Sequence, residues 1–466
     1  MRNPGLFDGM TTRRDWLRRM GGGFGALGLA GVLADESNGA GSATNLLAPK
    51  APHFAPKAKR VIFLFMNGGP SHVDTFDPKP MLATRSGEPA PESVRKGRNG
   101  RGKLMPTNYK FAKYGQAGID ISELFPKLAE RADDLCVIRS MYTDVPNHEP
   151  ALLMMNSGVI QPTRPSLGSW LTYGLGSENQ DLPGFVVLCP GKPVVGPQLW
   201  SNSFLPGIFQ GTHINNRSVD PKSIIAHVAN KSLTKDAQRG QLDLLQKMNE
   251  QHLESRVGDP QLEGRIQSLE MAFRMQFEAR DAFDLTKETP ATRALYGEGK
   301  FADACLIARR LAERGVRISQ IYYGDGQPWD DHGDMANHRN HALASDGAIA
   351  GLLADLKARG LFDETLVIWG GEFGRTPTSE GSKGRDHHNT GFTMWMAGGG
   401  VKRGHIHGAT DEFGWNAIED RVHVHDLHAT ILHLMGIDHT QLTYRYSGRD
   451  FRLTDVHGEV VKGIIA

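Results

Sequence analysis

Acidic, imidazole and guanidinium side chains follow a short apolar run near the C-terminus. The run Thr365–Trp369 leads to Glu372 and Arg375, and four polar residues come soon after: Arg385, Asp386, His387 and His388. Ligands of open parallel α/β sheets gather where strands end, so this pattern predicts a site. We expect Glu372, Asp386 and one of the two neighbouring histidines to bind a metal, the other histidine supporting it. Arg375 or Arg385 could bind a tetrahedral oxyanion through a forked hydrogen-bonding contact. A buried salt bridge is the alternative for these arginines.

A second group follows the apolar run Arg60–Met66. After the break at Asn67-Gly-Gly-Pro70 come His72 and Asp74, two positions apart. An imidazole nitrogen and a carboxylate oxygen together suit zinc, manganese or iron. The alternative is structural, with Asp74 capping a turn and His72 hydrogen-bonded.

His148 is the candidate catalytic residue of the third segment. Pro150 and the apolar residues after it are typical of the first turn of a buried helix. His148 would then stand beside free backbone amides at a helix N-terminus, where a developing anion is stabilised. A capping or core histidine is the alternative.

The fourth segment holds Asp330, Asp331 and His332, just after the apolar run Arg317–Tyr323. Adjacent carboxylates repel unless a cation stands between them. We therefore expect Asp330 and His332 to bind the metal. His338 and His341, further on, are expected to be surface or supporting residues.

The elements that carry these segments indicate an α/β fold. Apolar runs of strand length alternate with helix-like stretches, which predicts a doubly wound, mostly parallel sheet sandwiched by helices. The runs are Arg60–Met66, Leu135–Arg139, Phe185–Leu188, Arg317–Tyr323, Thr365–Trp369 and Phe392–Met396. One large domain is expected over residues 59–466, with a helical insertion at about 218–300. Its apolar periodicity includes Leu262, Ile266, Leu269, Phe273 and Phe277, and its Met and Phe stripe is expected in the core.

The N-terminus predicts export. Arg13 and Arg14 precede a short Gly/Ala/Leu run, the pattern of a twin-arginine signal over residues 1–34, with a linker at 35–58. This implies the twin-arginine export machinery as a partner and a periplasmic or secreted protein. No segment reaches the length of a membrane span.

Composition excludes some classes of function. The formal net charge of +1 argues against nucleic-acid binding. Three widely spaced cysteines predict neither a disulfide framework nor a zinc–cysteine site. A nucleophile motif such as Gly-x-Ser-x-Gly is also missing from the sequence.

These four segments and the later Val424–Thr430 resemble an exported family, domain of unknown function 1501, over most of residues 59–450. That family is similar in turn to the alkaline phosphatase and sulfatase superfamily, which implies an alkaline-phosphatase-like fold and metal-assisted hydrolysis of phosphate or sulfate esters. Carried over, the resemblance puts Asn67 and Phe373 at ligand positions, lengthens an acidic ligand to Glu372, and puts His148 at the nucleophile position.

Two functions follow from that resemblance. The first is an exported metal-dependent hydrolase with a remodelled site, in which water activated by the metal attacks an ester of a small molecule or polysaccharide. The second is a metal- or oxyanion-binding or assembly protein without turnover. A different reaction, such as metal-dependent redox chemistry, stays open as a third. The expected cofactor is a divalent metal, zinc first, with manganese, iron or calcium as alternatives.

Overall fold

The structure is a computed structural model that describes residues 45–95, 102–220, 224, 233–254 and 260–466. The predicted export signal at 1–34 lies outside the described residues. Within the described part, no helix is both long enough and apolar enough to cross a membrane.

The strands and helices are numbered in chain order. The strands are β1 Arg60–Phe65, β2 Phe111–Tyr114, β3 Ile119–Ser122, β4 Leu135–Tyr142, β5 Phe185–Leu188, β6 Thr212–Ile214, β7 Ile318–Tyr322, β8 Thr365–Gly370, β9 Gly374–Glu380, β10 Gly384–His388, β11 Phe392–Ala397, β12 His405–His407, β13 Ala409–Thr410, β14 Ala417–Glu419, β15 Val422–His423, β16 Tyr444–Tyr446 and β17 Arg449–Phe451. The α-helices are α1 His72–Thr75, α2 Pro80–Thr84, α3 Glu92–Arg95, α4 Pro126–Ala129, α5 His148–Ser157, α6 Leu167–Leu175, α7 Lys235–Glu254, α8 Pro260–Phe283, α9 Pro290–Tyr296, α10 Lys300–Glu313, α11 Ala336–Ala358 and α12 Val424–Leu434.

A nine-stranded sheet forms the centre of the fold. Its order is β12-β4-β11-β8-β1-β7-β5-β6, and β15 pairs with β4. β11 is antiparallel to both its neighbours, and the other strand pairs described in this sheet are parallel. Every residue of β1, β7 and β8 is buried, as expected for strands covered on both faces. The predicted α/β class and mostly parallel sheet are therefore confirmed.

The region predicted as a helical insertion contains α7, α8 and α9. Within its apolar periodicity, Leu269 is 41% exposed, and Leu262, Ile266 and Phe273 are only partly buried. The side chain of Phe277 lies outside what the structure describes. The face of α8 that packs inward carries Met271, Met275, Ala279, Ala282 and Phe283, so methionine and phenylalanine do contribute to the core as expected.

Candidate metal centre

Three imidazoles converge on one carboxylate oxygen. The Nε2 atoms of His332, His387 and His148 lie 2.8, 3.1 and 3.2 Å from Oδ1 of Asp330. The Nε2 atoms of His332 and His387 are 2.8 Å apart. Ligands bonded to zinc at about 2.0–2.1 Å stand roughly 3.3–3.4 Å from one another in a tetrahedron. The four side chains are therefore spaced almost as the ligands of a single ion.

The contacts of the two ring nitrogens of His148 favour a bound cation at this site. Its Nδ1 lies 2.6 Å from Oε1 of Glu372, and a carboxylate only accepts hydrogen bonds, so we assign the proton to Nδ1. If the ring is neutral, as a metal ligand is, Nε2 has a lone pair that faces the Asp330 carboxylate. It is buried and has no hydrogen-bond partner. A lone pair facing a carboxylate is repulsive, and a bound cation would make both contacts favourable.

His332 has the same arrangement. Its Nδ1 hydrogen-bonds Oε2 of Glu380, which again leaves the Nε2 lone pair directed at Asp330. A carboxylate behind a histidine ligand fixes its tautomer and raises its basicity. Glu380 and Asp386 also lie close enough to His332 to form a second group of donors, at the exposed rim of the site.

The electrostatics of the centre favour an ionised Asp330. Burial alone would raise the pKa of this carboxyl, but its contacts with His148 and His387 and the charge of Arg375 outweigh that effect and hold the pKa well below its usual range. For His148, burial lowers the pKa, but Asp330 and Glu372 outweigh it and raise the pKa above the ordinary value. Burial lowers the pKa of His387, which favours the neutral form of the ring that metal binding requires.

The ends of the central strands position these side chains. β1 ends just before Asn67 and Gly68, β7 leads to Asp330 and His332, and β8 leads to Glu372. Gly68 has φ +115°, and a Cβ there would lie 2.6 Å from the backbone N of Asp330. Only glycine allows the loops after β1 and β7 to touch, and its N–H donates to Glu372 at 3.0 Å.

His387 and His388 diverge because they are neighbours in β10. Successive side chains of a strand point to opposite faces. His387 pairs in register with Arg375 and faces Asp330, whereas His388 pairs with Gly374 and hydrogen-bonds the carbonyl of Trp415. The expectation that only one of the two joins the cluster agrees with this geometry.

Several predicted ligands lie elsewhere. His72 stacks on His388 at 6.3 Å between ring centroids, and its Nε2 contacts the carbonyl of Gly414 at 2.8 Å. Asp74 accepts hydrogen bonds from Ser71 and Arg385. The structure thus places His72 and Asp74, both predicted as metal ligands, in a neighbouring buried cluster with His388 rather than among the four converging side chains.

Four further residues have other contacts than those predicted. Glu372 contacts Nδ1 of His148 and is not one of the four converging side chains. Asp386 is exposed and lies near His332 and Glu380. All three nitrogens of Arg375 donate to carbonyls or to Asp330. Those of Arg385 donate to carbonyls or to Asp74. The structure therefore agrees with the alternative given for both arginines, a buried salt bridge, rather than with an oxyanion contact.

Sequence reasoning missed one supporting group, the carboxylate of Glu380. Glu380 lies in β9, where no spacing rule connects it to His332. His338, expected at the surface or as a supporting residue, is fully buried; its Nε2 accepts from the backbone N of Ser71 at 3.1 Å, and its Nδ1 contacts Asp331. Asp331 therefore contacts His338, whereas Asp330 contacts the three imidazoles and Arg375. These separate partners reduce the repulsion expected between the two carboxylates. The sequence feature that could have indicated this contact is the presence of Asp331 and His338 seven positions apart.

Comparison with known proteins gives a family and distant structural likenesses. No curated protein matches the sequence. The lipoteichoic acid synthase LtaP from Listeria monocytogenes is 9% identical, with a TM-score of 0.38 over 90% of this chain and 80% of that one. For an alkaline phosphatase superfamily protein from Vibrio parahaemolyticus the values are 10%, 0.34, 88% and 74%, and for the PsFucS1 sulfatase from Pseudoalteromonas sp. they are 12%, 0.33, 82% and 68%. We draw no functional argument from likenesses of this size. The sequence profile described as protein of unknown function DUF1501 matches residues 58–465, so the chain belongs to that family.

Proposed function

We propose that the protein is a hydrolase of phosphate or sulfate esters that depends on a divalent metal held by His148, Asp330, His332 and His387. One observation carries the proposal: three imidazole nitrogens meet a single carboxylate oxygen, and a carboxylate contacts the opposite nitrogen of two of these rings. Nitrogen-rich sites with one carboxylate suit zinc. The ester class follows from the resemblance seen in the sequence.

The chain's own residues would prepare the reaction. Glu372 and Glu380 hold two imidazoles in the tautomer that binds a cation. Asp330 is kept ionised by its neighbours. The side chains of Asp330 and His332 are 23% and 36% exposed, so a substrate can approach from solvent. A divalent ion bound here would supply a Lewis acid and make hydroxide available near neutral pH.

The test combines metal content with turnover of the full-length chain. The wild type, His387→Ala and the exposed-histidine control His457→Ala are each assayed with p-nitrophenyl phosphate and p-nitrophenyl sulfate, before and after removal and return of zinc or manganese. We expect turnover to need the metal in the wild type and the control and to fall at least about 100-fold in His387→Ala. Turnover that persists in His387→Ala, or a metal-loaded wild type that hydrolyses neither ester, contradicts the proposal.

A metal-binding protein without turnover is the second candidate. The engagement of Arg375 and Arg385 by carbonyls and carboxylates favours it, because neither guanidinium is left to stabilise an oxyanion. Zinc binding with no hydrolysis of either ester would support this function instead.

A further inference from the structure

The three imidazoles of the metal centre are held in different ways. Nδ1 of His148 contacts Glu372 at 2.6 Å, and Nδ1 of His332 contacts Glu380. Among the described residues, the hydrogen-bond contacts of the His387 ring all involve its Nε2. A histidine ligand usually has an acceptor at its second nitrogen, which fixes the orientation of the ring. The ring of His387 therefore needs another means of support.

Phe373 packs against this ring. It directly precedes β9 and is only 1% exposed. Its ring centroid lies 4.9 Å from that of His387 and 4.8 Å from that of His148, and the ring planes are tilted by 39° and 43°. The centroids of the two imidazoles are themselves 4.2 Å apart. Three rings therefore pack together, and only the phenyl ring has no atom that could bind a metal.

The phenyl ring is itself held in place. Gly69 has φ +82°, and a Cβ at this position would lie 2.9 Å from Cδ2 of Phe373. The ring therefore packs closely against the backbone of the loop after β1. The carbonyl of Gly69 accepts a hydrogen bond from Nε of Arg375 at 3.0 Å, which fixes that loop in turn. Close packing on both sides leaves the phenyl ring little freedom to move.

We infer that Phe373 is a positioning residue: it fixes the orientation of the His387 ring by packing, where the other two imidazoles have a carboxylate. An imidazole with neither support can rotate about its Cβ–Cγ bond and turn a carbon atom towards the metal. A ring that is already held in one orientation loses less side-chain freedom when it binds, so affinity is higher. The inference rests on the proposed function for the role of His387 as a ligand, and the orientation of its ring can be measured without metal.

Truncation of Phe373 tests the inference. Phe373→Ala removes the ring contact, and Phe373→Leu keeps an apolar side chain of similar size. The matched control is Phe362→Ala, because Phe362 is 2% exposed and precedes β8, at the opposite end of this strand from Phe373. Competition with a chelator measures zinc affinity, which we expect to fall about tenfold in Phe373→Ala and to stay within about threefold of the wild type in the other two variants. Phe373→Val takes the place of Phe373→Ala if the latter does not fold.

Two spectroscopic measurements separate positioning from general destabilisation. The visible absorption of the Co²⁺-loaded protein depends on ligand geometry, and it should change in Phe373→Ala but not in Phe362→Ala. In the metal-free proteins, long-range ¹H–¹⁵N NMR detects the ring of His387, whose signals are identified by their absence in His387→Ala. We expect one sharp set of signals in the wild type and in Phe373→Leu, and broadened or averaged signals in Phe373→Ala.

Three results would overturn the inference. They are a zinc affinity of Phe373→Ala within about threefold of the wild type, an equal loss of affinity in Phe362→Ala, and identical His387 signals in the wild type and Phe373→Ala. A wild type that binds no metal contradicts the proposed function instead. In that case the His387 signals of the metal-free proteins still decide whether Phe373 positions the ring.

Discussion

At the scale of single residues, the centre depends on which nitrogen of each imidazole carries a proton. Glu372 is fully buried, whereas 44% of the Glu380 side chain is exposed. A buried carboxylate holds its histidine in an environment of low dielectric constant, where the hydrogen bond is stronger. The two carboxylates should therefore contribute unequally to metal affinity.

Glu372→Gln tests this difference. The amide keeps the shape of Glu372 but removes the charge behind His148, so we expect metal affinity to fall about 10–100-fold. The matched change Glu380→Gln should cost less, since water screens that pair. Competition with a chelator of known affinity measures both. Equal losses, or a larger loss for Glu380→Gln, would show that the exposed carboxylate matters as much as the buried one.

The neighbouring histidines of β10 give a second prediction. His387→Ala should reduce bound metal to well below one equivalent per chain, because it removes one of the four converging donors. His388→Gln keeps a donor for the carbonyl of Trp415 and should retain the metal while changing mainly thermal stability. Elemental analysis after dialysis gives the stoichiometry of both variants. Loss of metal in His388→Gln alone would place the site in the neighbouring cluster of His72.

At the scale of elements, α12 anchors the helix that presents His148. The last carbonyls of a helix have no partner within it. Here Nε2 of His425 contacts the carbonyl of Gly158 at 2.7 Å, and Nε2 of His428 contacts that of Met155 at 2.8 Å. Two imidazoles of α12 thereby satisfy the C-terminus of α5, whose N-terminal residue is His148.

This anchor makes folding sensitive to acid. Burial lowers the pKa of His428 to about 3, whereas an unfolded histidine has a pKa of about 6.5. The unfolded chain binds this proton first, so the stability is complete above about pH 6.5 and is lost as the pH falls towards 3. The contribution of His428 to the free energy of unfolding should be about 2 kcal/mol smaller at pH 5 than at pH 7.

Urea unfolding at pH 7 and pH 5 measures the effect. His428→Gln retains a donor for Met155, and its free energy of unfolding should fall less between the two pH values than that of the wild type. His457→Gln, at an exposed position, should behave as the wild type does. A pH dependence that is identical in the wild type and His428→Gln would contradict the assignment.

Strand positions were predicted well because central strands are apolar throughout. The runs predicted at residues 60–66, 185–188 and 365–369 match β1, β5 and β8 within one or two residues. β9 and β10 were not predicted because their residues are mostly polar. The two strands form a hairpin outside the main sheet. The apolar positions Leu262, Ile266 and Leu269 of α8 are not buried, because a different face of that helix packs against the rest of the protein. Periodicity shows an amphipathic helix but not which side its neighbours will cover.

At the scale of the whole molecule, the centre assembles residues that are far apart in the chain. Asp330, His332 and one of the histidines of β10 were predicted from the sequence as metal ligands and His148 as a catalytic residue, and the structure brings these side chains together. The contact of Glu380 with His332 and that of Asp74 with Arg385 could not be predicted, because both depend on how distant segments pack together. Residue types were therefore predictable, and the grouping into two separate clusters was not.

Because the centre joins loops after β1, β4, β7 and β8, metal binding should stabilise the entire fold. A ligand present at 1,000 times its dissociation constant adds about 4 kcal/mol of stability. We expect removal of metal with a chelator to lower the melting temperature by several degrees, measured by calorimetry. His387→Ala should show a much smaller difference between its treated and untreated forms. Equal shifts in the two proteins would mean that the stabilising metal binds elsewhere.

Anomalous X-ray scattering from crystals of the zinc-loaded protein tests the central claim most directly, because it locates the metal. We predict one strong peak at about 2.0–2.2 Å from the Nε2 atoms of His148, His332 and His387 and from a carboxylate oxygen of Asp330. A zinc-loaded crystal with no peak among these four side chains, or with its peak beside His72 and His388, would contradict the account.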